Sequence, residues 1–203
     1  MTRGCAVAHD FVRDDLNNMR KQGHSILRAR DKVIEILQSD NTCSAWYRTK
    51  DSDPAATFQT LTFALERDSD VYVQKTAGAS GMDLLRSPYV ARVLQGQGPR
   101  STITINEYGA FFVPMASVIR DLRMGGPMHF EGIRRLQIGP YSGGTLRAQV
   151  VALLHEFGHV VDLLPEDSDN EGLRSPENTK EVLRYCRAEV ESREASRTIL
   201  VSR

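Results

Sequence analysis

The sequence predicts an α+β fold, and three stretches carry that prediction. Asp10–Leu37 places Ile26, Val33, Ile34 and Leu37 at helical spacing. Thr102-Ile103-Thr104-Ile105 alternates polar and apolar side chains, as a half-buried strand does. Leu146–Leu164 is an apolar helical run. Helices thus come first, then a small mixed sheet, then a buried central helix and a last helix packed on it.

Taken in order, Asp10–Leu37 reads as one long helix that Gly23 and His24 can interrupt. Ser39 to Thr42 is turn chemistry, and Trp46-Tyr47 reads as core. Asp53-Pro54, an N-cap followed by proline at the first helical position, starts a helix expected to run to Glu66. Val71–Val73 is a short strand, and Ser87-Pro88 repeats the start signal for a helix to about Leu94, which Gly96 to Pro99 ends. Ile105 leads into a turn at Asn106–Gly109, then Ala110–Val113 as strand or aromatic anchor. Arg123–Gly132 reads as loop, Arg135–Ile138 as strand and Pro140–Gly144 as loop. Thr145 caps the helix that Pro165 closes. Ser175-Pro176 opens the final helix, whose apolar face is Val182, Leu183, Cys186 and Val190.

At 203 residues the chain is expected to form one domain, residues 1–203, with 1–24 a loosely packed helical extension. Lys plus Arg and Asp plus Glu are 26 each, so charge points neither to nucleic acid nor to an anionic membrane. No apolar run reaches a membrane-spanning length. The first residues lack the apolar core of a signal peptide, which fits an intracellular protein or one whose signal has been removed. Cys5, Cys43 and Cys186 are too scattered for a zinc ribbon. Cys43 and Cys186 can pair in an oxidising compartment, or all three can be separate thiols.

Chemistry is written at one place, Leu154-His155-Glu156-Phe157-Gly158-His159. On a helix, residues four apart lie on one face, so His155 and His159 can offer two imidazoles to one ion. Zinc takes such nitrogens at about 2.0–2.1 Å. Glu156 is free to act as general base rather than as ligand. Between Leu153 and Leu164 only the two histidines, Glu156 and Asp162 are neither apolar nor glycine. Burying ionisable groups in such a run is costly unless they serve a purpose.

A third protein ligand is needed. Asp162 is on the same helix, where a third ligand is geometrically awkward, so it is expected to orient a histidine ring instead. The expected third ligand is Asp167, with Asp169, Glu177 and Glu181 as alternatives. Tyr141, Tyr108 and His129 are loop residues that could stabilise an oxyanion. Thr102–Ile105 is the strand edge along which an extended peptide would add.

The motif helix resembles the active-site helix of the zincin metallopeptidases. That resemblance implies His155 and His159 as zinc ligands and Glu156 as general base. Metzincins differ: their glycine and third-ligand positions are here Asp162 and Pro165, and no methionine follows residue 128. A closer likeness is to small bacterial metallopeptidases, many of them exported. It rests on Cys43-x-x-Trp46, Ile105-Asn106 with Gly109-x-Phe111-Phe112, Leu164-Pro165-x-Asp167, and Ser175-x-x-Asn178-Thr179-x-x-Val182-x-x-x-Cys186. It spans roughly residues 25 to 190 and implies a secreted or periplasmic protein, a Cys43–Cys186 bridge, and a zinc peptidase acting on peptide or protein substrates. The alternative expectation is a zinc-binding module without catalysis. A deformylase shares H-E-x-x-H but takes a cysteine ligand, and neither Cys43 nor Cys186 has the glycine-rich context of that class.

Overall fold

The computed structural model describes residues 10–67, 72–75, 82–85, 89–121, 128–167 and 174–192. Among them are six helices and three small sheets, an α+β arrangement. The expected long N-terminal helix is two: α1, Phe11–Asn18, and α2, Arg20–Gln38. The break falls at Arg20, whose φ of 55° is left-handed, and not at Gly23. Gly23 lies inside α2 for a different reason. A Cβ there would stand 1.7 Å from the Leu16 carbonyl oxygen, so glycine lets α1 fold back onto α2. Asp10 caps α1 through the Arg13 amide and also accepts from Arg30, whose other guanidinium nitrogen donates to the Gln59 carbonyl.

Two further short helices follow. Asn41 forms a capping box with Ser44 at the start of α3, Thr42–Tyr47. Asp53 and Pro54 start α4, Pro54–Gln59, as their residue types predict, but it ends seven residues earlier than Glu66. The stretch after it, Thr62–Glu66, becomes β1 because β5 offers pairing there.

The expected helix from Ser87 to Leu94 is absent over its described part. Residues 91–92 form a strand instead, while 87 and 88 lie outside the described residues. We number the strands β1, β2 (Tyr72–Lys75), β3 (Met82–Leu85), β4 (Ala91–Arg92), β5 (Thr102–Asn106), β6 (Met115–Asp121), β7 (Met128–Arg135), β8 (Gln137–Ile138) and β9 (Tyr141–Ser142). One sheet has the order β1-β5-β4, with β1 parallel and β4 antiparallel to β5. A second, antiparallel sheet has the order β2-β3-β6-β7, and β8 pairs with β9. The described part of Arg123–Gly132 is therefore largely strand β7 rather than loop, and Tyr141 sits on β9. Ala110–Val113 is turn, with Phe111 buried as an anchor.

The core gathers around α5, Leu146–Val160, capped by Thr145 and buried from Ala148 to Val160. A helix apolar on every side has to be enclosed on every side. Accordingly α2 packs against one flank and α6, Arg174–Glu191, against another, with β4, β8 and β9 completing the shell. No described helix is long and apolar enough to cross a membrane.

Helix α3 reaches α5 through Tyr47, which is fully buried, stacks on Phe157 at 5.1 Å and donates its hydroxyl to the Leu154 carbonyl at 2.6 Å. Trp46 is only partly buried and stacks on Tyr185 instead. Burial holds the Tyr47 phenol well above its ordinary pKa of 10.0. Tyr47 therefore stays neutral in the fold while the unfolded phenol ionises, and this contribution, complete below pH 10, is lost as pH rises beyond it. Tyr47→Phe is expected to cost about 1 kcal/mol near pH 8, the net worth of one hydrogen bond. Urea denaturation at pH 8 and pH 11 should show the gap between wild type and variant narrowing at the higher pH.

Candidate metal centre

The end of α5 dictates where the chain goes next. Val161 closes the helix and Asp162 takes a left-handed φ of 55°. The Asp162 amide donates to the His159 carbonyl and the Leu163 amide to the Gly158 carbonyl at 2.8 Å. This is a Schellman reversal with aspartate in the place usually held by glycine. The chain then doubles back over its own helix, Leu164 landing on Gly158. A Cβ at 158 would lie 2.5 Å from Leu164 Cδ1, so the glycine of the motif is there to admit the returning strap. Gly158→Ala would gain up to about 1 kcal/mol of helix propensity and lose roughly 1–3 kcal/mol to overpacking. A net loss of stability together with weaker metal binding is expected, read by denaturation in chelator and by zinc titration.

The strap delivers Asp167 to the two histidines. His155 Nε2 lies 3.0 Å from His159 Nε2 and 3.0 Å from Asp167 Oδ2, and His159 Nε2 lies 3.4 Å from Asp167 Oδ1. All three ligand atoms fall within 4.8 Å of one another. Four ligands at 2.0–2.1 Å in a tetrahedron stand about 3.3–3.4 Å apart, so this triangle has the size a zinc ion requires. The donor set, two neutral imidazoles and one carboxylate, is also of zinc type. Both histidines are buried, and both turn Nε2 inward. Burial alone would raise Asp167; hydrogen bonds from His155 and His159, the electrostatic pull of His155 and the Asn178 amide outweigh it and hold the carboxyl far below the usual range.

Alternative ligands are placed elsewhere. Glu177 is exposed in the first turn of α6 and Glu181 faces Arg184 at 3.7 Å; neither joins the group. Asp169 lies outside the described residues. Asp162 does not orient a histidine, contrary to expectation. The left-handed turn swings it outward, and its carboxylate accepts from Gln95 Nε2 at 2.8 Å. The residue that meets a histidine ring from behind is Thr179 of α6, with Oγ1 3.0 Å from His155 Nδ1. Asn178, next to it and buried, donates to Asp167 Oδ1 at 2.7 Å and to the Pro165 carbonyl at 2.8 Å. His159 Nδ1 is buried and meets no partner among the described residues.

The group opens on a cleft of about 420 Å³ lined by Glu156, His159, Asp167, Tyr89 and the Ala91–Gln95 segment, among others. Glu156 is buried; burial first, and then the Asp167 charge, push its carboxyl up to about 8. The edge facing this cleft is β4. The expected edge, Thr102–Ile105, is β5, the central strand of its sheet: β1 pairs along all of it, and β4 covers Thr104 and Ile105. Loop residues after β4 hold it against α5: Gly96 and Gly98 amides donate to the His159 and Val160 carbonyls.

The oxyanion candidates fare differently from expectation. Tyr108 is 54% exposed and Tyr141 donates to Glu191, and neither is among the residues lining the cleft. His129 lies on β7 opposite Arg120. Tyr89 does line the cleft, with its hydroxyl on Glu66 and Arg92 over its ring at 4.8 Å. Its apparent place inside a helix signal concealed it in the sequence.

Cys43 and Cys186 are joined by a disulfide, Cα atoms 4.5 Å apart. Comparison of the chain with protein-family models, with curated proteins and with solved structures finds no match.

Proposed function

We propose that this chain is a zinc-dependent hydrolase and, within that class, a peptidase. The observation that carries the reading is the triangle of His155 Nε2, His159 Nε2 and an Asp167 carboxylate oxygen, of zinc dimensions, on an open cleft beside a buried glutamate. Those three residues would hold the ion. When bound, zinc supplies Lewis acidity towards a carbonyl oxygen and acidifies water.

Everything else falls to the chain's own groups. Glu156 accepts a proton from the attacking water and gives it to the departing amine, so that H and OH are added across the amide bond. Its burial raises the carboxyl's affinity for a proton. The β4 edge favours an extended main chain as the substrate, since one more strand can pair along Ala91–Arg92 while its peptide groups pass the metal site. The disulfide supports an oxidising compartment, secreted or periplasmic.

The test is direct. Purified protein should contain about one zinc per chain by elemental analysis, and should cleave members of a mixed peptide library. Cleavage should stop in chelator and return when zinc is restored. Zinc bound without cleavage of any peptide would leave a zinc-binding module. Failure to retain zinc even when it is supplied would refute the reading.

A further inference from the structure

Helix α6 contributes no ligand to the triangle, yet two of its side chains hold two of the three ligands. The Asn178 amide group donates to the Asp167 carboxylate and to the carbonyl of Pro165, which clamps the strap at these two residues. Thr179 meets the outer nitrogen of His155, the atom that sets the ring's tautomer and orientation. Seven residues on, two helical turns along the same face, Cys186 is fully buried and bonded to Cys43 of α3. Two more contacts fasten the same stretch to α3: Thr42 Oγ1 donates to the Tyr185 carbonyl at 2.9 Å, and Trp46 stacks on Tyr185 at 4.7 Å.

Helix α3 also grips the other side of the centre. Tyr47 bonds the carbonyl of Leu154, the residue before His155, and stacks on Phe157. The six-residue helix α3 is thus a spacer, linked covalently to the helix of Asn178 and Thr179 and by a buried hydrogen bond to the helix of the two histidines. It touches both helices, which also pack directly on each other.

We propose that the Cys43–Cys186 bridge is a determinant of metal affinity, acting through Asn178 and Thr179 as positioning residues, so that the centre binds zinc at full strength only when these two thiols are oxidised. The inference rests on the zinc reading above. The oxidation is a thiol–disulfide exchange. Two thiols of this chain give two electrons and two protons to an acceptor disulfide, which leaves as two thiols while the bond between Cys43 and Cys186 forms. Metal capture then follows bridge formation, which suits a protein that acquires its metal where disulfides persist.

Zinc affinity of the full chain, measured by competition with a chromogenic chelator, tests this. Asn178→Ala and the bridge-free Cys43→Ser/Cys186→Ser protein should each bind zinc about 10–100-fold more weakly than wild type, and Thr179→Val about tenfold more weakly. Serine removes the thiols, so no new sulfur ligand confuses the result. Because the bridge acts through Asn178, adding Asn178→Ala to the bridge-free protein should weaken binding by less than about threefold further. In the cobalt-substituted protein the visible bands should move in Asn178→Ala, a change of ligand geometry that a loss of general stability would not produce.

Wild-type affinity in a bridge-free protein that keeps its far-UV spectrum would overturn the proposal. So would full additivity of the two changes. If the bridge-free protein does not fold, Asn178→Ala and Thr179→Val with the bridge intact decide, and unchanged affinity and unchanged cobalt bands in both would overturn it. A wild-type protein that binds no zinc is a separate outcome, one that removes the zinc reading itself and this inference with it.

Discussion

Asp167→Ala is expected to remove the bound zinc, lowering affinity by more than the roughly 100-fold upper end seen for changes to outer-sphere partners, because a ligand itself is lost. Two imidazoles from one helix turn cannot close a tetrahedral site without a third protein donor. The carboxylate that supplies it touches both histidines, at 3.0 and 3.4 Å, and is kept ionised by them and by Asn178. Asp162→Ala makes a pointed control. It removes a carboxylate five residues away that faces Gln95, and zinc content should be unchanged. Zinc retained in Asp167→Ala and lost in Asp169→Ala would reassign the ligand to the segment outside the described residues. Elemental analysis of the three purified variants reads the result.

Glu156→Gln is expected to separate binding from chemistry. The amide is nearly isosteric with the carboxyl and occupies the same buried position on the cleft wall, so zinc content and melting behaviour should stay near wild type. It cannot accept a proton, and kcat/KM should fall by about 10²–10⁴, the usual worth of a positioned general base. A loss confined to KM would mean that Glu156 binds substrate rather than moving a proton. Activity at the wild-type level would exclude it as the base, and the search would pass to other groups on the same cleft, Tyr89 and Glu166.

These two variants, with Gly158→Ala between them, probe one device: a helix that carries two histidines and a reversal that returns Asp167 to them. How much of it was legible is uneven. His155, Glu156 and His159 could be read because their relation is local. Helical periodicity alone puts four-apart residues on one face, and the surrounding apolar run marks the helix as buried. The start of α4 and the start of α5 were legible for the same reason, since a cap and its first turn are adjacent in sequence.

Errors came where a neighbour distant in sequence decided. Residues 62–66 and 91–92 satisfy helix rules taken alone, yet both become strands because β5 stands between them and offers pairing on each side. For the same reason the edge of the sheet could not be chosen from Thr102–Ile105, whose alternation is equally that of a central strand. Asp162 and Asp167 are chemically alike and five residues apart. One left-handed residue sends the first out to Gln95 and brings the second back to the histidines.

By itself, then, the sequence determined the two imidazoles and the carboxyl between them, the capped starts of α4 and α5, and the α+β order of elements, all consequences of short-range geometry. The tertiary structure decided between Asp167 and its alternatives, which strand borders the cleft, and that Asn178 and Thr179 stand behind Asp167 and His155; it also joins Cys43 to Cys186, the pairing the resemblance implied. Each of those depends on a turn or a packing distance between segments far apart in the chain, which no local pattern encodes.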